Sequence, residues 1–149
     1  MVENLAKTMH SVRIIANGQI DYGQVPVQLP GPNEVLIKVH SAALNPSDIL
    51  FMKGRYKVKM EFPYTPGWEG SGTVVAVGPG LATSWLLNKR VAFMKKFEMA
   101  DYKRGGAFAE YCVTDFKSCI PLADDISIEQ AAAFYVNPLT AVGMVERLV

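Results

Sequence analysis

"PYTPGWEGSGTVVAVGPG", residues 63–80, decides how this chain is read. It sets five glycines and three prolines around one acid, Glu69, and one tryptophan, Trp68. Proline and glycine at this density mark a turn. The run Thr73-Val74-Val75-Ala76-Val77 that follows is β-prone. Gly67, Gly70 and Gly72 permit positive φ and close backbone approach, so a tight loop feeding a strand at 72–78 is expected.

The flanks read the same way. Ser11 to Ala16 is a short apolar strand, Asn17-Gly18 is a hairpin dipeptide, and Gln19 to Val27 is the partner strand. "LPGPNE" (29–34) is forced into a loop. From Glu34 to Ala43, Val35, Ile37 and Val39 fall on one face and Leu36, Lys38 and His40 on the other, which predicts a strand. "NPSDILFMKG" (45–54) reads as one or two helical turns, with Pro46 at the start and Gly54 at the end. Strands are expected at 90–94 and 106–114, with a charged loop at 95–106. Ser127 with Gln130 is a capping-box pair opening the helix "SIEQAAAFYV", and Pro138 restarts a second helix. That helix reaches Leu148-Val149 with no capping residue, as in the front part of a longer protein.

Composition narrows the class. The chain has 149 residues, half of them hydrophobic and 19% charged, the balance of a globular domain with a core. A net charge of +1 gives no field for nucleic acid. No apolar run nears the roughly 20 residues of a membrane helix, and the start lacks a signal-peptide core. A cytoplasmic protein without nucleic-acid or membrane partners is expected. Cys112 and Cys119 stand seven apart, too few and too far for a metal knuckle, and read as two buried thiols.

Four pieces together resemble the medium-chain dehydrogenase/reductase superfamily, and its zinc-independent quinone oxidoreductase branch most closely. "NPSD" (45–48) followed by "KGRY" (53–56) resembles the branch's NPxD and GxY motifs. "PGWEGSGTVVAVG" (66–78) resembles the superfamily's G-H-E-x-x-G signature at Gly67, Glu69, Gly72 and Gly78. "GGAFAEYCV" (105–113) and "AAAFYVNPLTA" (131–141) resemble a strand motif and the hinge toward the cofactor domain. "NKRVAF" (88–93) departs from the family, with Asn88-Lys89 where Gly-Asp is usual.

The resemblance implies a mainly β fold with short helices. Residues 1–126 would form a GroES-like, partly open β-barrel carrying the catalytic groups. Residues 127–149 would be helices leading to a Rossmann domain that this chain lacks. No G-x-G-x-x-G sits between a strand and a helix, so the chain alone is expected to bind cofactor weakly or not at all. The implied cofactor is NADPH, the implied substrate a quinone or enone, and the full-length protein is expected to be a homodimer.

The zinc enzymes of the superfamily hold their metal with three residues. Those seats correspond to Asn45, Trp68 and Val136 here. Tryptophan and valine cannot ligate zinc and asparagine is a poor ligand, so no catalytic metal is expected. Nor is there a cysteine between residues 80 and 105 for the structural-zinc lobe.

Without a Lewis acid, the negative charge that develops on a reduced carbonyl needs hydrogen-bond donors. Tyr56 matches the GxY tyrosine and is either the proton donor or an aromatic lining the pocket. Asn45 is read as lining the site toward substrate or nicotinamide. Thr140 and Asn137 are read as nicotinamide neighbours, or as ordinary helix-start residues. Trp68 is read as filling the emptied metal seat. Glu69 and Asp48 are read as structural carboxylates, one bracing the loop and the other capping the turn after Asn45. Lys53, Arg55, Lys57 and Lys59 make a charged strip, either solvated or attractive to an anionic thioester. Two alternatives stand beside quinone reduction: reduction of trans-2-enoyl thioesters, and a non-catalytic structural or binding member of the superfamily.

Overall fold

The computed structural model describes residues 5–56, 61–80, 83–95 and 105–148. Lys57 and Lys59 of the charged strip, and residues 96–104 of the charged loop, lie outside the described residues.

Strand β1 (Thr8–Ala16) and strand β2 (Gln19–Pro26) form an antiparallel hairpin. Asn17-Gly18 turns it, with Gly18 at φ 74°. Strands β3 (Glu34–Ala42), β4 (Glu69–Val77), β5 (Arg90–Met94), β6 (Tyr111–Asp115) and β7 (Cys119–Pro121) make a second, wholly antiparallel sheet in the order β6-β3-β4-β5-β7.

Its ladder leaves the sheet open between β6 and β7. Side chains tie β6 to the end of β5 instead. The Lys95 ammonium donates to the Val113 carbonyl at 2.7 Å, and the Thr114 hydroxyl to the Met94 carbonyl at 2.8 Å. The mainly β, partly open barrel read from the resemblance is the fold observed. Among the described residues no helix is long and apolar enough to cross a membrane.

β3 is the strand expected from the alternation, and both of its faces carry buried side chains. Val35 and Ile37 enter the main core with Val74, Val91, Phe93 and Cys112. Leu36 is equally buried on the opposite face, with Ala76 and Val113, under Leu5 and Val27. Each such side chain contributes roughly 1.5–3 kcal/mol of burial. Cys112 and Cys119 are both buried in the main core.

Two positions show why the loop into β4 is rich in glycine. Gly67 sits at φ 108°, which side chains rarely adopt. A Cβ on Gly72 would run into the backbone carbonyl of Lys38 on β3. Asn88, where the family has glycine, is also left-handed, at φ 63°, a conformation asparagine tolerates.

Other boundaries move. β4 begins at Glu69 rather than 72, because Glu69 pairs with Met94. The expected strand at 106–114 is strand only over Tyr111–Asp115. Short β7 was not anticipated.

Helix α1 spans Pro46–Met52 and ends with Gly54 at φ 68°. Helix α2 covers only Ile128–Ala131, with the Ser127 hydroxyl accepting from the Gln130 N–H at 3.1 Å. Helix α3 runs Val136–Glu146, so it starts ahead of Pro138, which lies in the first turn where no N–H is needed.

Candidate active site around Glu69 and Trp68

Glu69 is the first residue of β4 and is fully buried. An ionised carboxylate there must be met by donors. Its Oε1 accepts from Asn45 Nδ2 at 2.9 Å. Its Oε2 accepts from the backbone N–H groups of Tyr135 and Val136, at 2.8 and 2.9 Å. Those two amides open α3, so Glu69 joins β4, the start of α1 and the start of α3. The Tyr135 and Val136 amides turn to the carboxylate and not to the preceding turn, which follows α2 with three-residue bonds from Ala132 to Phe134.

Asn45 is buried just ahead of α1. Besides donating to Glu69, its Oδ1 accepts from Asn137 Nδ2 at 3.1 Å. Its backbone N–H donates to Asp48 Oδ2 at 2.8 Å. Asp48 Oδ1 takes the Trp68 N–H at 3.2 Å. Burial pushes the Asp48 carboxyl up to about 6; the bonds from Asn45 and Trp68 oppose that shift, and the nearby Glu69 charge adds to it.

Trp68 is fully buried, its backbone held at both ends, since its carbonyl accepts from the Lys95 N–H at 2.7 Å. Its ring packs against Phe51, centroids 4.6 Å apart, and against Tyr56 at 5.7 Å. Tyr64 and Ile14 complete the cluster, with Val136 at its margin. Burial also pushes the Tyr64 hydroxyl up to about 12. Tyr56 is the partly exposed member.

The structure therefore gathers Asn45, Asp48, Trp68, Glu69 and Asn137 into one hydrogen-bonded unit, with Tyr56 on its aromatic side. Thr140 stays apart: it is exposed, and its hydroxyl donates to the Val136 carbonyl within α3. Phe51, Tyr64 and the Tyr135 and Val136 amides belong to the site but were not singled out in the sequence. No local pattern links them to Glu69. Among the described residues, no group of three or more His, Cys, Asp or Glu is placed to hold a metal.

Comparison with known proteins fits this geometry. The alcohol dehydrogenase GroES-like domain family matches over residues 31–124. The chain is 34% identical over 125 residues to a trans-enoyl reductase of Aspergillus flavipes, covering 83% of this chain and 36% of that protein. It is 35% identical over 112 residues to quinone oxidoreductase-like protein 2 of Mus musculus, covering 75% of this chain and 29% of the relative. A crystal structure from Mesorhizobium loti, described as an NADPH:quinone reductase, superposes with a TM-score of 0.87 at 34% identity, over 96% of this chain and 44% of that one. The chain thus spans well under half the length of each.

Proposed function

The chain belongs to the alcohol dehydrogenase GroES-like domain family of the medium-chain dehydrogenase/reductase superfamily, and from that premise we propose that it is the substrate-side portion of a zinc-independent, NADPH-dependent oxidoreductase acting on quinones or α,β-unsaturated carbonyls. One observation carries the reading: what occupies the three seats that hold zinc in the family's metal enzymes. Asn45 has its amide nitrogen on Glu69 and its oxygen on Asn137. Trp68 fills the second seat with a buried ring, and Val136 packs beside it. These residues do not fit zinc.

They do fit the edge of a nicotinamide. Asn137 uses one N–H on Asn45 and is exposed, leaving its carbonyl oxygen for a carboxamide or similar group. When bound, NADPH supplies a hydride to the conjugated carbon. This chain's part is to receive the charge that builds on the carbonyl oxygen. Tyr56, its ring fixed against Trp68 and Phe51, offers a hydroxyl donor to that oxygen, a contribution of about 3 kcal/mol in a dry site. The Trp68 cluster keeps water from the reacting face. The trans-enoyl reductase relative favours the neighbouring reading, a thioester-linked enoyl group as acceptor, which the same hydroxyl would serve.

The test is NADPH oxidation by the longer protein of which this chain is the proposed substrate-side portion, against a panel of quinones, enals and enoyl thioesters, with and without a chelator. Chelator-insensitive turnover of one of these classes is expected. Oxidation of simple alcohols that is lost on chelation would overturn the proposal.

A further inference from the structure

The bonds Asn137–Asn45–Glu69 run in one direction only. A carboxylate accepts and cannot donate. Both Glu69 oxygens are engaged, Oε2 by the Tyr135 and Val136 amides and Oε1 by Asn45 Nδ2. With its nitrogen turned inward, Asn45 has only Oδ1 to offer Asn137, and Asn137 meets it with Nδ2 at 3.1 Å. The Asn137 carbonyl oxygen is then what remains at the exposed end.

We propose that Glu69 is a positioning residue that sets the direction of this relay, so that the site meets an incoming molecule with the Asn137 acceptor and selects a ligand group carrying an N–H or O–H. The ligand part rests on the cofactor reading above; the relay itself does not.

The relay is tested by Asn137→Asp in two backgrounds. In the native background the introduced carboxylate faces Asn45 Oδ1, acceptor against acceptor. In Glu69→Gln, the two backbone amides claim the glutamine oxygen, so its NH2 faces Asn45. Asn45 is then driven to turn over, against its side-chain bond to Asp48, and to present Nδ2 to position 137, where an aspartate now fits. The Asn137→Asp change should shift the unfolding constant by about tenfold in the native background and by roughly threefold or less in Glu69→Gln. Glu69 is fully buried, so salt screens it little, and direct repulsion is controlled in Asn45→Ala, where no relay can form: there the Asn137→Asp cost should no longer depend on whether residue 69 is Glu or Gln. Equal costs in the two backgrounds overturn the relay.

Should Glu69→Gln not fold, the carboxyl introduced by Asn137→Asp is titrated by NMR. The relay expects it above the ordinary aspartate value of about 3.9, because only its protonated form can donate to Asn45, and expects that rise to disappear in Asn45→Ala, where Glu69 remains but the Asn45 acceptor is gone. An ordinary or lowered value overturns the relay.

The ligand part is tested with nicotinamide, which carries an amide N–H, against 3-acetylpyridine, which does not. The Asn137 side-chain resonances should respond at least about threefold more tightly to nicotinamide, and Glu69→Gln should lose that preference. Equal response to both probes, or none, overturns the ligand assignment while the stability cycle still decides the relay.

Discussion

Asn45 Nδ2 lies 2.9 Å from Glu69 Oε1, across 24 residues of sequence and in a site where Glu69 is fully buried. Three donors converge on this buried carboxyl group, Asn45 and the amides of Tyr135 and Val136. The contact holds the residue in the first zinc seat against the carboxylate beside the second. It makes Glu69 the point where the barrel, α1 and α3 are fastened together.

Removing that carboxylate is therefore expected to be costly. Glu69→Leu strands three buried or part-buried donors, and each unsatisfied group costs about 1–3 kcal/mol, so a loss of at least about 3 kcal/mol is expected. Urea denaturation followed by Trp fluorescence measures it. A loss below about 1 kcal/mol would show that the network does not hold the fold.

Asp48 gives a pH signature of the less common sign. Its folded pKa is raised to about 6 from an ordinary 3.8. Between those values the folded protein binds the proton and the unfolded chain has lost it. Its contribution is thus fully present below the unfolded value and is lost as pH rises through about 6. Relative to Asp48→Asn, which does not titrate, the native protein should lose stability from pH 4 to 6.5, by at most about 3 kcal/mol. Other carboxylates appear on both sides of the difference and drop out. A flat difference, or one that grows with pH, would rule out a raised Asp48.

Trp68→His restores one zinc ligand by residue type, but the neighbouring seats remain Asn45 and Val136. Three protein ligands of suitable chemistry are needed for a catalytic site. The variant should carry no stoichiometric zinc after dialysis, read by elemental analysis. It should also lose about 3 kcal/mol or more, because the Trp68 ring is fully buried against Phe51. One zinc per chain would overturn this account of the emptied seat.

The parts of this fold that depend on neighbours in sequence could be read directly. Asn17-Gly18 places its hairpin, Ser127 and Gln130 open α2, and Arg90–Met94 is a strand as expected. What escaped depends on distant partners. Leu36 is buried because Leu5 and Val27 cover a face that alternation alone leaves open. The helix over "SIEQAAAFYV" is α only to Ala131, and past it the Tyr135 amide goes to Glu69, 66 residues earlier. Asn45, Trp68 and Glu69 were reached through a family signature, but their bonds were not. No spacing along the chain announces that Asn137 will meet Asn45 across 92 residues.

Tyr56 divides the enzymatic reading from a merely structural one. Its ring lies 5.7 Å from Trp68 and 6.1 Å from Phe51, and Tyr56→Phe preserves both contacts while removing the hydroxyl. If the hydroxyl stabilises the developing oxyanion, kcat should fall roughly 10²-fold while KM stays within about threefold, since the interaction strengthens only in the transition state. If Tyr56 only lines the pocket, Tyr56→Phe should leave kcat unchanged and Tyr56→Ala should raise KM through the lost aromatic surface. Steady-state kinetics on the quinone or enone turned over fastest separates the two. Unchanged kcat in Tyr56→Phe would remove Tyr56 from the chemistry.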